Sequence, residues 1–399
     1  MLKQYIKDNW DSCIRFSPKD DGTLIGLPKP YIVPSPADCF QEMYYWDTFF
    51  TCKGLILSDR AEVARDCCED MMFLIEKYGF MPNGSRTFYL TRSQPPFLSM
   101  MVMDVYNVYK DKEWLRKAYE TLKKEYKFWM TRRITEIGLN QYGCDMNDEI
   151  DVDENYKYTC SRLEYEVPTD DKHRFARNFI ADCESGWDFN PRTEMQQDRY
   201  IYVDLNSNLY IYEKNFAEMS EILGTGETEK WNSAAENRRE LMNKYLWNGE
   251  AFMDYNFIQK HFSPVFSVAS FYPLWAGVAT AEQAKTTVAK LSALENEYGI
   301  STCEKNESPA TYQWDWPNGW APLHYITVRA LDRFGFTEDA KRIAEKYTKT
   351  TEALFDETGK LWEKFNTLTG KNDTKGYASN IMLGWTAGVY LYLMNYLGK

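Results

Sequence analysis

The stretch CESGWDFNPR, residues 183–192, sets one carboxylate, Asp188, between Trp187 and Phe189, with Glu184 four residues before it and Arg192 four after. A carboxyl desolvated against aromatic rings keeps its proton to higher pH, which is the property a general acid needs. The competing reading is an Asp188–Arg192 ion pair, because residues four apart meet on a helical turn. Cleaving a glycosidic bond needs a second carboxyl, ionised, to activate water or attack carbon. Glu42, Asp47, Glu164, Asp315 and Glu363 are available for that role. Asp47 and Asp315 each follow a tryptophan, an arrangement suited to hydrogen bonding vicinal hydroxyls. Glu363 lies between Trp362 and Lys364, whose ammonium favours the ionised form, and on chemistry alone it ranks first.

These candidates fall in loop-like segments: FQEMYYWDTFF (40–50), MPNGSRTFYLTRSQPPF (81–97), SRLEYEVPTDD (161–171), ESGWDFNPR (184–192) and YQWDWPNGWAPLH (312–324). LWEKFNTLTGKND (361–373) and LGWTAGVYLYL (383–393) follow near the C-terminus. Asp, Asn, Gln, Arg and Trp recur in them, and burying such groups unpaired costs roughly 1–3 kcal/mol each. A polyhydroxylated ligand supplies partners. One such segment alone reads more readily as a tryptophan-rich helix cap, but five together point to a sugar site. The 13 Trp, 29 Tyr and 22 Phe make up 16% of the chain. They suit either a thick aromatic core or ring faces on which the C–H faces of a sugar stack.

The elements that must carry these segments are mainly helical. In DRAEVARDCCEDMMFLIEKYG (59–79), Val63, Cys67, Met71, Leu74 and Ile75 share one face, with Asp59 and Gly79 as start and stop. KEWLRKAYETLKKEYKFWMTRR (112–133) repeats the pattern, and further helices are expected near 206–223, 227–245, 281–293, 320–335, 338–354 and 378–397. Alternating β patterns are short, as around 249–257. In a toroid of helical hairpins the long polar loops would gather at one end and build a pocket there, although no internal repeat is evident. At 399 residues the chain exceeds the usual domain size, yet nothing in it resembles a linker. One domain over 1–399 is therefore expected.

A net charge of −12 and a pI near 5.0 disfavour nucleic acid and anionic membrane surfaces, and leave a neutral small molecule as the fitting partner. The start MLKQYIKDNWDSCIRF has no signal-peptide core, and no stretch reaches the roughly 18 apolar residues of a membrane span. Nine scattered cysteines without a C-x-x-C pair read as buried thiols in a reducing compartment. A cytoplasmic location follows as the expectation. The three histidines share no H-x-x-x-H spacing, so no metal is expected. Nothing in one chain indicates its oligomeric state.

With these residues in view, the segments resemble the α,α-trehalases of glycoside hydrolase family 37, from about Pro34 to Val389. QWDWPNGWAP (313–322) matches the signature Q-W-D-x-P-x-G-W-x-P at every fixed position, FQEMYYWDTFF resembles the second half of the other signature, and MPNGSRTFYLTRSQPPF resembles the segment that contacts sugar. The resemblance implies an all-α (α/α)6 toroid with long loops forming the cleft, and an inverting α-glycosidase without metal or organic cofactor. By position it implies Asp188 as general acid and Glu363 as general base. Trp46, Asp47, Asn83, Arg92, Gln94, Arg162, Glu164, Gly186, Gln313, Trp314 and Asp315 match positions lining the sugar subsites, and Phe40, Tyr45, Trp187, Trp320 and Trp385 from the same segments complete the expected lining. An inverting pair must lie roughly 6.5–9.5 Å apart, so tertiary folding has to bring positions 188 and 363 together.

Two places depart from the pattern. P-G-G-R-F reads here as PADCF (36–40), with Cys39 where an arginine is expected, and the glycine-rich loop with a glutamate before GWT is replaced by GKNDTKGYASNIML (370–383). YYWDTFF, SGWDFNPR and EKFNTLTG also resemble family 63 α-glycosidases, some of which act on mannosylglycerate or glucosylglycerate. The expectation is an inverting α-glycosidase of a small α-linked disaccharide, with trehalose favoured over a family 63-type glycoside. A sugar-binding protein without activity, or a lyase or epimerase on the same toroid, would need a missing carboxylate or a well-placed base such as His324.

Overall fold

A helix that is apolar all round survives only where every side is covered, whereas one with a single apolar stripe must face water with the rest. Both kinds occur in the computed structural model, which describes residues 1–37, 39–146, 151–381 and 383–399. Among the described residues there are fourteen α-helices. They are α1 (Leu2–Asn9), α2 (Tyr45–Leu57), α3 (Ala61–Tyr78), α4 (Leu98–Tyr109), α5 (Lys112–Arg132), α6 (Val152–Leu163) and α7 (Lys172–Glu184). Then follow α8 (Val203–Leu223), α9 (Thr228–Tyr245), α10 (Tyr272–Ala276), α11 (Ala281–Val288), α12 (Ala321–Arg333), α13 (Thr337–Thr358) and α14 (Gly384–Tyr396).

The covered class is α2, α4, α8, α10, α12 and α14. Ten of thirteen residues are buried in α2 and in α12, against four of eighteen in α9 and two of eight in α11. Each covered helix packs on the next, α2 on α4, α4 on α8, α8 on α10, α10 on α12 and α12 on α14, and α14 returns to α2. Six inner helices thus close a ring. The striped helices α3, α5, α9, α11 and α13 alternate with them along the chain and form the outer layer, with α1 as the sixth. This is the expected (α/α)6 toroid. α6 and α7 pack on each other as an insertion between α5 and α8.

At the seam between α2 and α14 the backbones nearly touch. A Cβ on Gly388 would collide with the Phe50 carbonyl oxygen, and one on Gly54 would lie 2.6 Å from Gly388 Cα. Only glycine fits there.

Several boundaries follow local chemistry. α3 stops at Gly79, which takes the left-handed conformation at φ 81°, and α5 starts at Asp111, whose carboxylate accepts from Trp114 N at 3.0 Å. Other boundaries differ from expectation. α14 begins at Gly384 rather than near 378, and YYWDTFF is not a loop but the first turns of α2.

The strands are short. β1 (Ile14–Arg15) pairs with β2 (Tyr31–Ile32), and β3 (Tyr200–Ile201), β4 (Tyr255–Asn256) and β5 (His261–Phe262) form a second antiparallel sheet. β6 (Asn318–Trp320) pairs with β7 (Lys364–Asn366) in the register Asn318↔Asn366 and Trp320↔Lys364. That last pair ties the tryptophan-rich 313–320 segment to the residues after Glu363.

Candidate active site

The inner helices present their N-terminal ends to one side of the ring, where the connections between layers collect. Trp46 and Asp47 lie in the first turn of α2. Asn83, Arg92 and Gln94 come from the approach to α4, Gly186 and Asp188 from the approach to α8, and Gln313, Trp314 and Trp320 from the approach to α12. Glu363, Tyr377 and Trp385 come from the approach to α14 and its start. The unpaired N–H groups of helix N-termini favour negative charge, which suits a site built from carboxylates. These residues, with Phe40, Tyr44 and Tyr89, line a cavity of about 160 Å³.

Asp188 is carried on a turn that side chains fix from below. Buried Asp182 accepts from Phe189 N at 2.7 Å and from Asn190 Nδ2 at 2.8 Å. Glu184 accepts from Ser93 N at 2.8 Å and Gly143 N at 2.7 Å, and pairs with Arg133 at 2.7 Å. The turn holds Gly186 at φ 73° and Phe189 at φ 59°. A Cβ on Gly186 would stand 2.8 Å from the Trp46 ring, so the turn packs this closely on Trp46 only because residue 186 has no side chain. Burial pushes the Asp188 carboxyl up to about 6, against the pull of Arg92 and Arg162.

The Asp188–Arg192 ion pair does not form. Because the turn is not helical, the i, i+4 geometry does not apply. Arg192 instead reaches Asp204 at 2.7 Å and Asp254 at 2.7 Å, and stacks on Trp187 at 4.4 Å.

Glu363 precedes β7 and is 4% exposed. Its backbone is held by Asn380 O at 2.8 Å and by Trp385 Nε1, which donates to Glu363 O at 3.1 Å. Its Oε1 accepts from the Tyr377 hydroxyl, while Asn380 approaches Oε2 at 3.4 Å. Burial raises its pKa, opposed by the Lys364 charge and the Tyr377 hydrogen bond. Asp47 is pushed up to about 8 by burial, reinforced by the charges of Glu363 and Asp188.

The walls are aromatic. Trp314 stacks on Trp320 at 3.9 Å and 3°, and meets Trp46 at 5.5 Å and the edge of Trp385 at 6.2 Å.

Of the residues expected at the site, Phe40, Trp46, Asp47, Asn83, Arg92, Gln94, Gly186, Asp188, Gln313, Trp314, Trp320, Glu363 and Trp385 line the cavity. Five stand elsewhere. Tyr45 points between the helices towards α5, where its hydroxyl donates to Glu125 at 2.5 Å, because it is adjacent to Trp46 on a helix and so faces another way. Arg162 sits behind the lining, donating to Gln313 at 2.6 Å. Glu164 is exposed at the end of α6 and accepts from Thr311 at 3.0 Å. Trp187 is sandwiched between Arg192 and Trp314. Asp315 Oδ1 accepts from Cys303 Sγ at 2.8 Å, Asn306 Nδ2 at 2.7 Å and Trp316 N at 2.7 Å.

Tyr44, Tyr89 and Tyr377 are additional lining residues. The first two belong to the quoted segments, and the third to the stretch that departs from the trehalase pattern. His324 is buried, accepting from Ile300 N at 2.9 Å, and burial lowers its pKa to about 4. It is a satisfied core residue outside the cavity.

The Trehalase family profile matches residues 2–398. The periplasmic trehalase of Xanthomonas campestris pv. campestris (strain B100) is 32% identical over 424 residues, covering 99% of this chain and 73% of that protein. The periplasmic trehalase of Xanthomonas oryzae pv. oryzae (strain MAFF 311018) is 32% identical over 429 residues, covering 100% and 74%. Among solved structures, neutral trehalase Nth1 from Saccharomyces cerevisiae superposes with a TM-score of 0.79 at 28% identity, covering 99% of this chain and 80% of that one. The GH63 mannosylglycerate hydrolase from Thermus thermophilus, in complex with Tris and D-glycerate, gives 0.66 at 15% identity, covering 98% and 99%, and shares the fold.

The bacterial relatives overturn the cytoplasmic expectation, since they are periplasmic enzymes by name. The cysteine argument failed for a physical reason. Cys13, Cys52, Cys67, Cys68, Cys144, Cys183 and Cys303 are buried, and a buried thiol does not report the redox state outside. No helix among the described residues is long and apolar enough to cross a membrane.

Proposed function

The chain belongs to the trehalase family and is a glycoside hydrolase, and we propose that it hydrolyses trehalose with inversion, residues 1–399 acting as one catalytic domain. The observation that carries this reading is the cavity itself, in which Asp188 and Glu363, one from the α7–α8 connection and one from the α13–α14 connection, meet between tryptophan walls. Asp188, kept partly protonated by burial, gives its proton to the glycosidic oxygen as the C–O bond breaks. Glu363, ionised, takes a proton from a water that attacks the anomeric carbon from the opposite face. One water is consumed, the aglycone leaves as an alcohol, and an α-linked sugar is released as the β-anomer. Asp47 donates to a hydroxyl, and Trp314 and Trp320 pack on the ring.

The small-molecule partner is thus a carbohydrate. NMR of the first-formed anomer tests inversion; initial release of the α-anomer would refute it. A hydrolysis screen over trehalose, kojibiose, nigerose, maltose, glucosylglycerate and mannosylglycerate tests the substrate. One observation favours the glycerate glycosides as a second reading. Arg92 lines the cavity, and its Nε is buried without a hydrogen-bond partner. An anionic aglycone would use it.

A further inference from the structure

We propose that Tyr377 is the positioning residue of the base, its phenol holding the Glu363 carboxylate towards the attacking water. This rests on the reading of Glu363 as base. Tyr377 lines the cavity and its hydroxyl donates to Glu363 Oε1. The other donors to that carboxylate, Asn380 Nδ2 and N, approach Oε2 at 3.4 and 3.5 Å, at the long limit of a hydrogen bond. Oε1 is therefore committed to the phenol, and Oε2 keeps lone pairs open for a water.

The phenol is itself held. Lys364 Nζ lies 3.7 Å from the centre of the Tyr377 ring, and the Arg162 guanidinium lies 5.1 Å from it. Both separations are within the range of cation–π attraction. Lys364 forms no ion pair among the described residues; its ammonium donates to Lys375 O at 3.3 Å and otherwise faces the Tyr377 and Trp320 rings. Two cations against the ring draw electron density from it and strengthen the O–H as a donor. The base, its donor and the cation beneath come from one stretch, residues 363–377, folded back so that Lys364 and Tyr377 meet.

A phenol that only filled space would leave proton affinity at Glu363 unaltered, whereas one that donates to the ionised form favours that form. Its removal therefore has a signature in pH. In Tyr377→Phe, kcat for trehalose should fall at least about tenfold, KM should stay within about twofold, and the acid limb of the kcat/KM profile should move up by roughly one pH unit. Lys364→Met should move the limb the same way by less, and covers the case in which Tyr377→Phe does not fold by circular dichroism and thermal melting. An unmoved acid limb in a folded variant, or a loss confined to KM, would overturn the inference. Glu363→Gln separates the two levels. If it still hydrolyses trehalose, the base assignment itself fails; if it is inactive while Tyr377→Phe keeps the wild-type profile, only the role of Tyr377 fails.

Discussion

Replacing Arg192 with leucine puts the interior beneath the site to a quantitative test. The guanidinium is 1% exposed and binds Asp204 at 2.7 Å and Asp254 at 2.7 and 2.9 Å, both carboxylates being buried. Leucine keeps much of the packing and removes the only charge that compensates the two aspartates among the contacts described. Breaking a buried pair in this way costs about 3–5 kcal/mol. With about 2.1 cal/mol/K per residue over 399 residues, the unfolding entropy is about 0.8 kcal/mol/K, so Tm should drop by about 4–6 °C.

The loss should depend on pH. Burial already raises Asp254 in the wild type, with Arg192 opposing it. Without the cation, the folded-state Asp254 carboxyl sits well above its unfolded value of about 3.9. The unfolded chain then releases protons that the folded chain retains, so stability falls as pH rises above about 4. Melting of both proteins at pH 5 and pH 8, at one scan rate, should show the larger deficit at pH 8. A drop under about 1 °C at pH 8, or equal drops at both pH values, would refute the charge-compensation reasoning.

Asp188→Asn and Glu363→Gln should each lower kcat for trehalose by about 10²–10⁴-fold or more with melting unaltered; wild-type turnover by either removes it from the mechanism. For the wild type, kcat/KM should fall as pH rises through about 6, where Asp188 loses the proton it must donate, and should fall on the acid side as Glu363 gains one. A profile flat from pH 6 to 9 contradicts that assignment of the acid. Gly186→Ala places a side chain at φ 73° and 2.8 Å from the Trp46 ring. It should cost about 1–2 kcal/mol and about 1–2 °C in Tm, yet lower kcat/KM by more than about tenfold, because Trp46 lines the cavity. Full activity in that variant would show that the turn tolerates a Cβ.

The site was legible in sequence where burial of polar residues needs a reason. Loops crowded with Asp, Asn, Arg and Trp stood out, and thirteen of the eighteen residues expected from them and from the C-terminal segments line one cavity. What stayed illegible depends on partners distant in sequence. Asp315 follows a tryptophan just as Asp47 does, yet Cys303 and Asn306 donate to its Oδ1, and nothing in the W-D pair distinguishes the two. Tyr377 lies in GKNDTKGYASNIML, the stretch that departs from the family pattern, so the resemblance did not carry it over.

In the fold, striped helices such as α3 and α5 were visible from their 3.6-residue period. α2 and α4 were not, because helices buried on all sides carry no stripe, and α10 has only five residues. The inner helices α8, α12 and α14 were nonetheless expected, so periodicity conceals α2, α4 and α10 and not the whole inner ring.

The seam between α2 and α14 also has a meaning in time. α2 is made early and α14 last, yet Gly54 and Gly388 must interlock, and Trp46 must meet the edge of Trp385 at 5.9 Å, before the ring is shut. At a synthesis rate of about 5–20 residues per second, α2 waits on the order of tens of seconds for its partner. During that wait its apolar flank is open, and a growing chain carries Asp188 long before it carries Glu363. The two candidate catalytic residues therefore come together only in the last step of assembly, when α14 shuts the ring against α2.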